Sequence, residues 1–178
     1  MNKIYLVIVA DDAGTIVWSP YLKDEFYDGL GYRRLQDSWG ERHAQIVEMS
    51  DAKQNSSFIL PGGFIASAAI ANKLVKNIRT DCELLPVGVE GQEWLLFNNL
   101  AALDGFDKDR SKVLSSYAGE IYWVESLFIP SHAVKWDLFT IAGSNRASIF
   151  VTDRFVAEAK KLGINGVRFR EVGEITAS

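Results

Sequence analysis

The sequence has few of the residues that build disulfides and metal sites. Its 178 residues include a single cysteine, Cys82, and only two histidines, His43 and His132. One cysteine excludes an internal disulfide framework and fits a reducing compartment. Neither histidine has a metal-ligand spacing with the other or with Cys82, and the acidic, apolar setting of Cys82 is typical of an inert thiol. The sequence therefore predicts no metal, no cofactor and no enzymatic activity.

Long apolar runs and an excess of positive charge are also missing. No apolar segment approaches the roughly 20 residues that span a bilayer, and the run from Ile4 to Val9 is interpreted as a buried first strand rather than a signal peptide. The net charge is −4 and the isoelectric point is near 5.2, which argues against general nucleic-acid binding. We expect one soluble, cytoplasmic domain over residues 1–178, with no membrane or nucleic-acid partner.

Acidic residues are concentrated in the middle of the chain. Between Glu83 and Glu125, eight acidic residues stand against three basic ones, so this stretch carries a charge of −5. Such a stretch can form an acidic surface that attracts a basic partner. It can equally be an ordinary solvated face.

Two other features could bind an anion. Gly62 and Gly63 stand before a predicted helix and could present backbone N–H groups, although a tight turn explains them as well. Arg168 and Arg170 alternate on one face of a predicted strand, where they could bind a carboxylate or phosphate or simply carry surface charge. Together these residues define an alternative function, a small-molecule-binding or enzymatic domain that recognises an anionic ligand.

The clearest local pattern lies between residues 133 and 172. Alternating apolar and polar residues predict a strand, a turn and a second strand. A helix follows, with Thr152 or Asp153 as N-cap and Gly163 as the left-handed residue that ends it, and then a final strand. Residues 64–79 are predicted as a second helix from their four-residue apolar spacing. The pattern as a whole predicts an α+β fold: a mixed, largely antiparallel sheet with a few short helices packed on it.

Four segments, in order, resemble a bacterial family of immunity proteins from polymorphic toxin systems, long catalogued as a domain of unknown function. They are LLPVGVEGQEWLLFNNLAALD, WDLF, IFVTDRF and LGINGVRFREV, and they cover the chain from Leu84 onward. The chain departs from the family pattern at Thr140, where an arginine is usual, and at Thr152, where serine is common.

The resemblance implies a cytoplasmic, non-enzymatic protein that binds and neutralises a cognate toxin. Toxin-binding surfaces diverge with their partners, so no interface residue is carried over by motif. Because acidic inhibitors steer well onto basic toxins, acidic residues of the middle stretch are our candidates for the toxin-facing surface. These candidates are Glu90, Glu93, Asp104, Asp107, Asp109 and Glu120.

Overall fold

The computed structural model describes residues 2–18, 29–47, 54–59, 63–146 and 148–177, and these residues form mostly strands. The strands are β1 (Lys3–Val9), β2 (Thr15–Trp18), β3 (His43–Val47), β4 (Ser56–Ile59), β5 (Gly63–Ser67), β6 (Cys82–Val89), β7 (Gln92–Asn99), β8 (Ala102–Leu103), β9 (Lys112–Ser115), β10 (Ile121–Pro130), β11 (Leu138–Ile141), β12 (Phe150–Thr152) and β13 (Val167–Thr176). The helices are α1 (Gln36–Trp39), α2 (Ala68–Asn77) and α3 (Asp153–Lys161), with a 3₁₀ turn at Ser131–Ala133.

The strands form two sheets, both of them curled. The seven-stranded sheet has the order β8-β11-β12-β1-β13-β10-β9, and the six-stranded sheet has the order β2-β3-β6-β7-β5-β4. In the first sheet, Ile121 at the start of β10 forms a bridge to Ser144 and donates its amide to the Gly143 carbonyl at 3.0 Å. The sheet therefore bends until strands that are not neighbours meet. In the second sheet, edge strands β2 and β4 also lie against each other.

The predicted α+β fold class is wrong. Strands account for 47% of the described residues and helices for 17%, so the fold is mostly β and the helices do not form a layer on one sheet. One reason for the error is the helix that was predicted over residues 64–79. Its first four residues, 64–67, belong to strand β5, which lies between β4 and β7, and the helix begins only at Ala68. Residues 102–103 and 112–115 are strands as well.

The local pattern between residues 133 and 172 is largely confirmed. Strands β11 and β12 pair as an antiparallel hairpin, and α3 follows directly. Gly163 has a φ of +66°, and the Ile164 amide donates to the Ala159 carbonyl at 3.0 Å, which closes the helix in the predicted way. Thr152 is the N-cap residue of α3, as predicted, but the expected side-chain hydrogen bond is absent: the Thr152 hydroxyl donates to the carboxylate of Asp137 at 2.9 Å instead.

The main hydrophobic core lies between the two sheets. It contains residues from both sheets and from α2 and α3, with the ring of Phe64 packed 4.9 Å from Phe97 and 5.9 Å from Phe155. A second core, on the six-stranded sheet, is closed by residues 29–40, which include Leu35 and Trp39; we call these residues the covering segment. A third core fills the curl of the seven-stranded sheet. Among the described residues, no helix is long and apolar enough to cross a membrane.

Candidate functional site

Two buried polar side chains of the six-stranded sheet hold the covering segment in place. The carboxylate of Glu83, on β6, accepts hydrogen bonds from the backbone amides of Leu35 at 2.7 Å and Gln36 at 3.1 Å. Asn98, on β7, donates to Glu83 at 2.9 Å and accepts from the Gly31 amide at 2.7 Å. The covering segment has little regular structure of its own, so these bonds fix its path.

Glu83 holds the covering segment in its ionised form. Burial alone would raise the pKa of this carboxyl, because a charge is poorly solvated inside the protein. The hydrogen bonds from Leu35, Asn98 and Gln36 outweigh burial and bring the pKa of Glu83 below its ordinary value. A buried anion with three donors therefore anchors the segment.

The covering segment ends at Gly40, which lies in one wall of an open groove of about 330 Å³. The register of three strands explains the groove: His43 pairs with Gly88, and Gly88 pairs with Glu93. Gly88 has no side chain, so the ring of His43 lies over this position, and Glu93 stands on its other side. The groove is lined by Gly40, Glu41, Arg42, His43, Pro86, Val87, Gly88, Gly91, Gln92 and Glu93.

Carboxylates lie on both walls of the groove. On one wall, Oε1 of Glu41 lies 3.1 Å from Nε2 of His43, whose ring packs directly on Gly88: a Cβ built there would be 2.7 Å from Nδ1 of the histidine. On the opposite wall, Glu93 is exposed. Both Glu41 and His43 are also largely exposed to solvent. The groove can therefore present negative charge from two sides.

The one arginine of this wall is held along the protein surface. The guanidinium carbon of Arg42 lies 5.6 Å from the centre of the Trp39 ring, and its Nη1 donates to the Glu41 carbonyl at 3.2 Å. The indole N–H of Trp39 in turn donates to the Pro86 carbonyl at 2.8 Å, which ties this wall to β6. Local contacts thus fix the position of the arginine beside the carboxylates of Glu41 and Glu93.

The structure separates the six acidic candidates into two groups. Glu90 and Glu93 belong to the tight β6–β7 hairpin, where Glu90 and Gly91 have φ values of +49° and +76°. The other four lie in the seven-stranded sheet region, on the loop before β9 and on the β9–β10 turn; they are Asp104, Asp107, Asp109 and Glu120. Only the first group adjoins the groove.

Two of the remote acidic residues have local structural roles. The carboxylate of Asp104 accepts from the Gly105 amide at 2.8 Å. That of Asp107 accepts from the amides of Asp109 and Arg110, each at 3.1 Å, as in a capped turn. These contacts explain the residues without a partner protein.

The anion-binding candidates are not brought to one site. Gly62 lies outside the described residues, and Gly63 is buried at the start of β5. Arg168 forms an ion pair with Asp11, while the guanidinium of Arg170 lies 5.4 Å from the Trp123 ring. Both arginines project from β13, in the sheet that does not contain Gly63. The described geometry therefore does not favour the alternative of an anion site.

Cys82 has the setting that its sequence context predicts. Burial raises the pKa of the thiol, and the nearby charge of Asp81 adds to this effect. Glu41, Arg42 and His43 were not predicted as site residues. Gly88 was the available signal, because a glycine inside a strand often marks a hollow or a close approach.

Comparison with known proteins returned no match, either to models of protein families or among curated proteins.

Proposed function

We propose that this chain is an immunity protein that acts in the cytoplasm, without catalysis, by binding and neutralising a cognate bacterial toxin. The ordered motifs between Leu84 and Val172 support the class of function. The acidic groove carries the proposal for the binding site, since it combines a concave shape with carboxylates on opposite walls.

The groove suits a lysine or arginine side chain of the partner. A cation that enters between Glu41 and Glu93 meets a carboxylate on each side, and exposed ion pairs of this kind each contribute about 0.2–1 kcal/mol. Pro86 adds an apolar surface for the methylene stem of such a side chain. Because these charges are exposed, binding should weaken as the salt concentration rises.

The test is co-expression with the C-terminal domain of a toxin encoded beside this chain. The wild-type protein should protect cells, and a double charge reversal in the groove, Glu41→Lys with Glu93→Lys, should abolish protection. The matched control is Asp104→Lys with Asp109→Lys, which changes the net charge equally but lies in the other sheet region. This control should still protect.

The possible failures have distinct meanings. If the wild-type protein gives no protection and does not bind the purified toxin domain, the immunity function is refuted. If both double variants protect as well as the wild type, the chain is an immunity protein but the groove is not its binding site. Circular dichroism of each variant separates loss of binding from loss of folding.

A further inference from the structure

Large exposed apolar side chains are concentrated on the hairpin of β9 and β10. Leu114 is 53% exposed, Tyr122 is 54% exposed, Trp123 is 46% exposed, and Tyr117 at the turn is fully exposed. We call these four residues the hairpin patch. They lie on the seven-stranded sheet, so they are separate from the groove, and clustered exposure of this kind marks an interaction surface.

The hairpin patch adjoins an open sheet edge. Strand β9 is the last strand of its sheet and, among the described residues, pairs only with β10. Ser116 donates its amide to the Glu120 carbonyl at 2.8 Å, and its own carbonyl accepts from Gly119 at 2.9 Å, so its backbone faces β10. Since backbone groups alternate along a strand, Val113 and Ser115 direct theirs to the open edge, where another strand can pair.

We propose that β9 pairs with β9 of a second copy of this chain, antiparallel about a two-fold axis, with Leu114 opposite Leu114 of the second copy. In this register Val113 faces Ser115 of the second copy. These are the residues whose N–H and C=O groups point outward, so the backbone hydrogen bonds of both edges are satisfied. A two-fold contact requires a surface that complements itself, and this register provides one.

The side chains also complement each other across the axis. Leu114 stands beside Trp123 of its own chain, so pairing joins two such pairs into one apolar row. Lys112 lies opposite Ser116 of the second copy, whose neighbour across the hairpin is Glu120. Lys112, which forms an ion pair with Glu125 of its own chain at 3.5 Å, then also faces Glu120 of the second copy, and the two-fold axis repeats this attraction. No like charges face each other within the paired strands.

The size of the surface predicts a weak dimer. Half-exposed side chains of this size leave about 100 Å² each, and the fully exposed tyrosine about twice that, which gives roughly 500 Å² per copy. Two copies together reach the lower limit for a specific interface, which is about 1,000 Å². Dimerisation should therefore depend on protein concentration.

Sedimentation velocity of the full chain, up to about 1 mM, tests the proposal. The average mass should rise from 19.9 kDa toward twice that value. Leu114→Glu should weaken association by at least about tenfold, because it places two carboxylates at the axis. The control, Tyr32→Ser, removes another exposed aromatic ring and should leave association unchanged.

A charge exchange tests the register. Lys112→Glu and Glu120→Lys should each weaken association, and the double variant should restore it. A wild-type protein that stays at 19.9 kDa at every concentration overturns the proposal. So does a double variant that fails to regain association while remaining folded by circular dichroism. Should Leu114→Glu fail to fold, the charge-exchange series alone decides the question.

Discussion

Replacing Glu83 by glutamine should destabilise the protein and loosen the covering segment. Glu83 is only 5% exposed, and its carboxylate receives three hydrogen bonds. An amide keeps only one oxygen, so it can retain the two bonds at Oε2, from Leu35 and Asn98, while its NH₂ group then faces the Gln36 amide. A hydrogen bond to a charged acceptor contributes about 1.5–3 kcal/mol, and a buried unsatisfied donor adds to the loss. We expect the free energy of unfolding to fall by about 2–3 kcal/mol.

Two measurements check this expectation. Urea denaturation should give the lost stability, and thermal unfolding should show a midpoint lower by about 5–10 °C. Hydrogen exchange should show that the covering segment loosens more than the rest of the fold. The amides of Gly31, Leu35 and Gln36 should exchange faster in Glu83→Gln, while those of β1 keep their relative protection. Asn98→Asp is a harsher comparison, since it removes the side-chain donor to Glu83 and also places a second carboxylate beside it.

The effect should also depend on pH. The folded-state pKa of Glu83 is lowered, so its stabilisation is fully present above the unfolded-state pKa of about 4.3 and disappears as pH falls through the folded-state value. The difference between wild type and Glu83→Gln should therefore stay constant from pH 7 to about 5 and shrink below about 4. A difference under about 0.5 kcal/mol at pH 7, or one that persists at low pH, would refute this account of Glu83.

Three further substitutions test other parts of the fold. The carboxylate of Asp137 accepts hydrogen bonds from the backbone amide and the guanidinium of Arg79, both at 2.8 Å. Asp137→Ala should therefore lower the free energy of unfolding, measured in urea, by about 3 kcal/mol. A loss below about 1 kcal/mol would contradict a structural role for this ion pair. A Cβ at Gly173 would lie 1.8 Å from the Leu127 carbonyl oxygen, so Gly173→Ala should cost more than about 3 kcal/mol. Gly143→Ala, at an open position with a φ of +76°, should cost only about 1–2 kcal/mol in the same urea denaturation assay, and the reverse order would contradict the packing described.

Local sequence patterns predicted only the elements that local interactions determine. The end of α3 is one of these, because Gly163 and the Ile164 amide close the helix within a few residues. The boundary between β5 and α2 is different. The run from Phe64 to Ala66 is continuously apolar, and such a run fits a buried strand or a helix equally well. Pairing with β4 and β7 decides between them, and that information lies outside the segment.

The groove could not have been located from the sequence for a similar reason. It depends on the register that aligns His43, Gly88 and Glu93 across three strands, and no local pattern predicts that alignment. Sequence reasoning did single out the acidic stretch that contains Glu90 and Glu93. Glu83 was counted in the charge of the same stretch, and its burial could not be predicted locally, because its backbone donors come from residues 35 and 36.

Because Glu83 is buried, not every acidic residue of the middle stretch contributes charge to the protein surface. Counted along the chain, Glu83 adds to a surface charge that would attract a basic partner. In the fold, its charge is used internally, and its effect on the surface is indirect: it fixes the covering segment that leads to Gly40 and Glu41. The position of one groove wall therefore depends on an ionised side chain that no ligand touches. If the groove binds a basic partner, the acidic residues of this stretch act in two ways, Glu93 by direct contact and Glu83 by holding the opposite wall at the right distance.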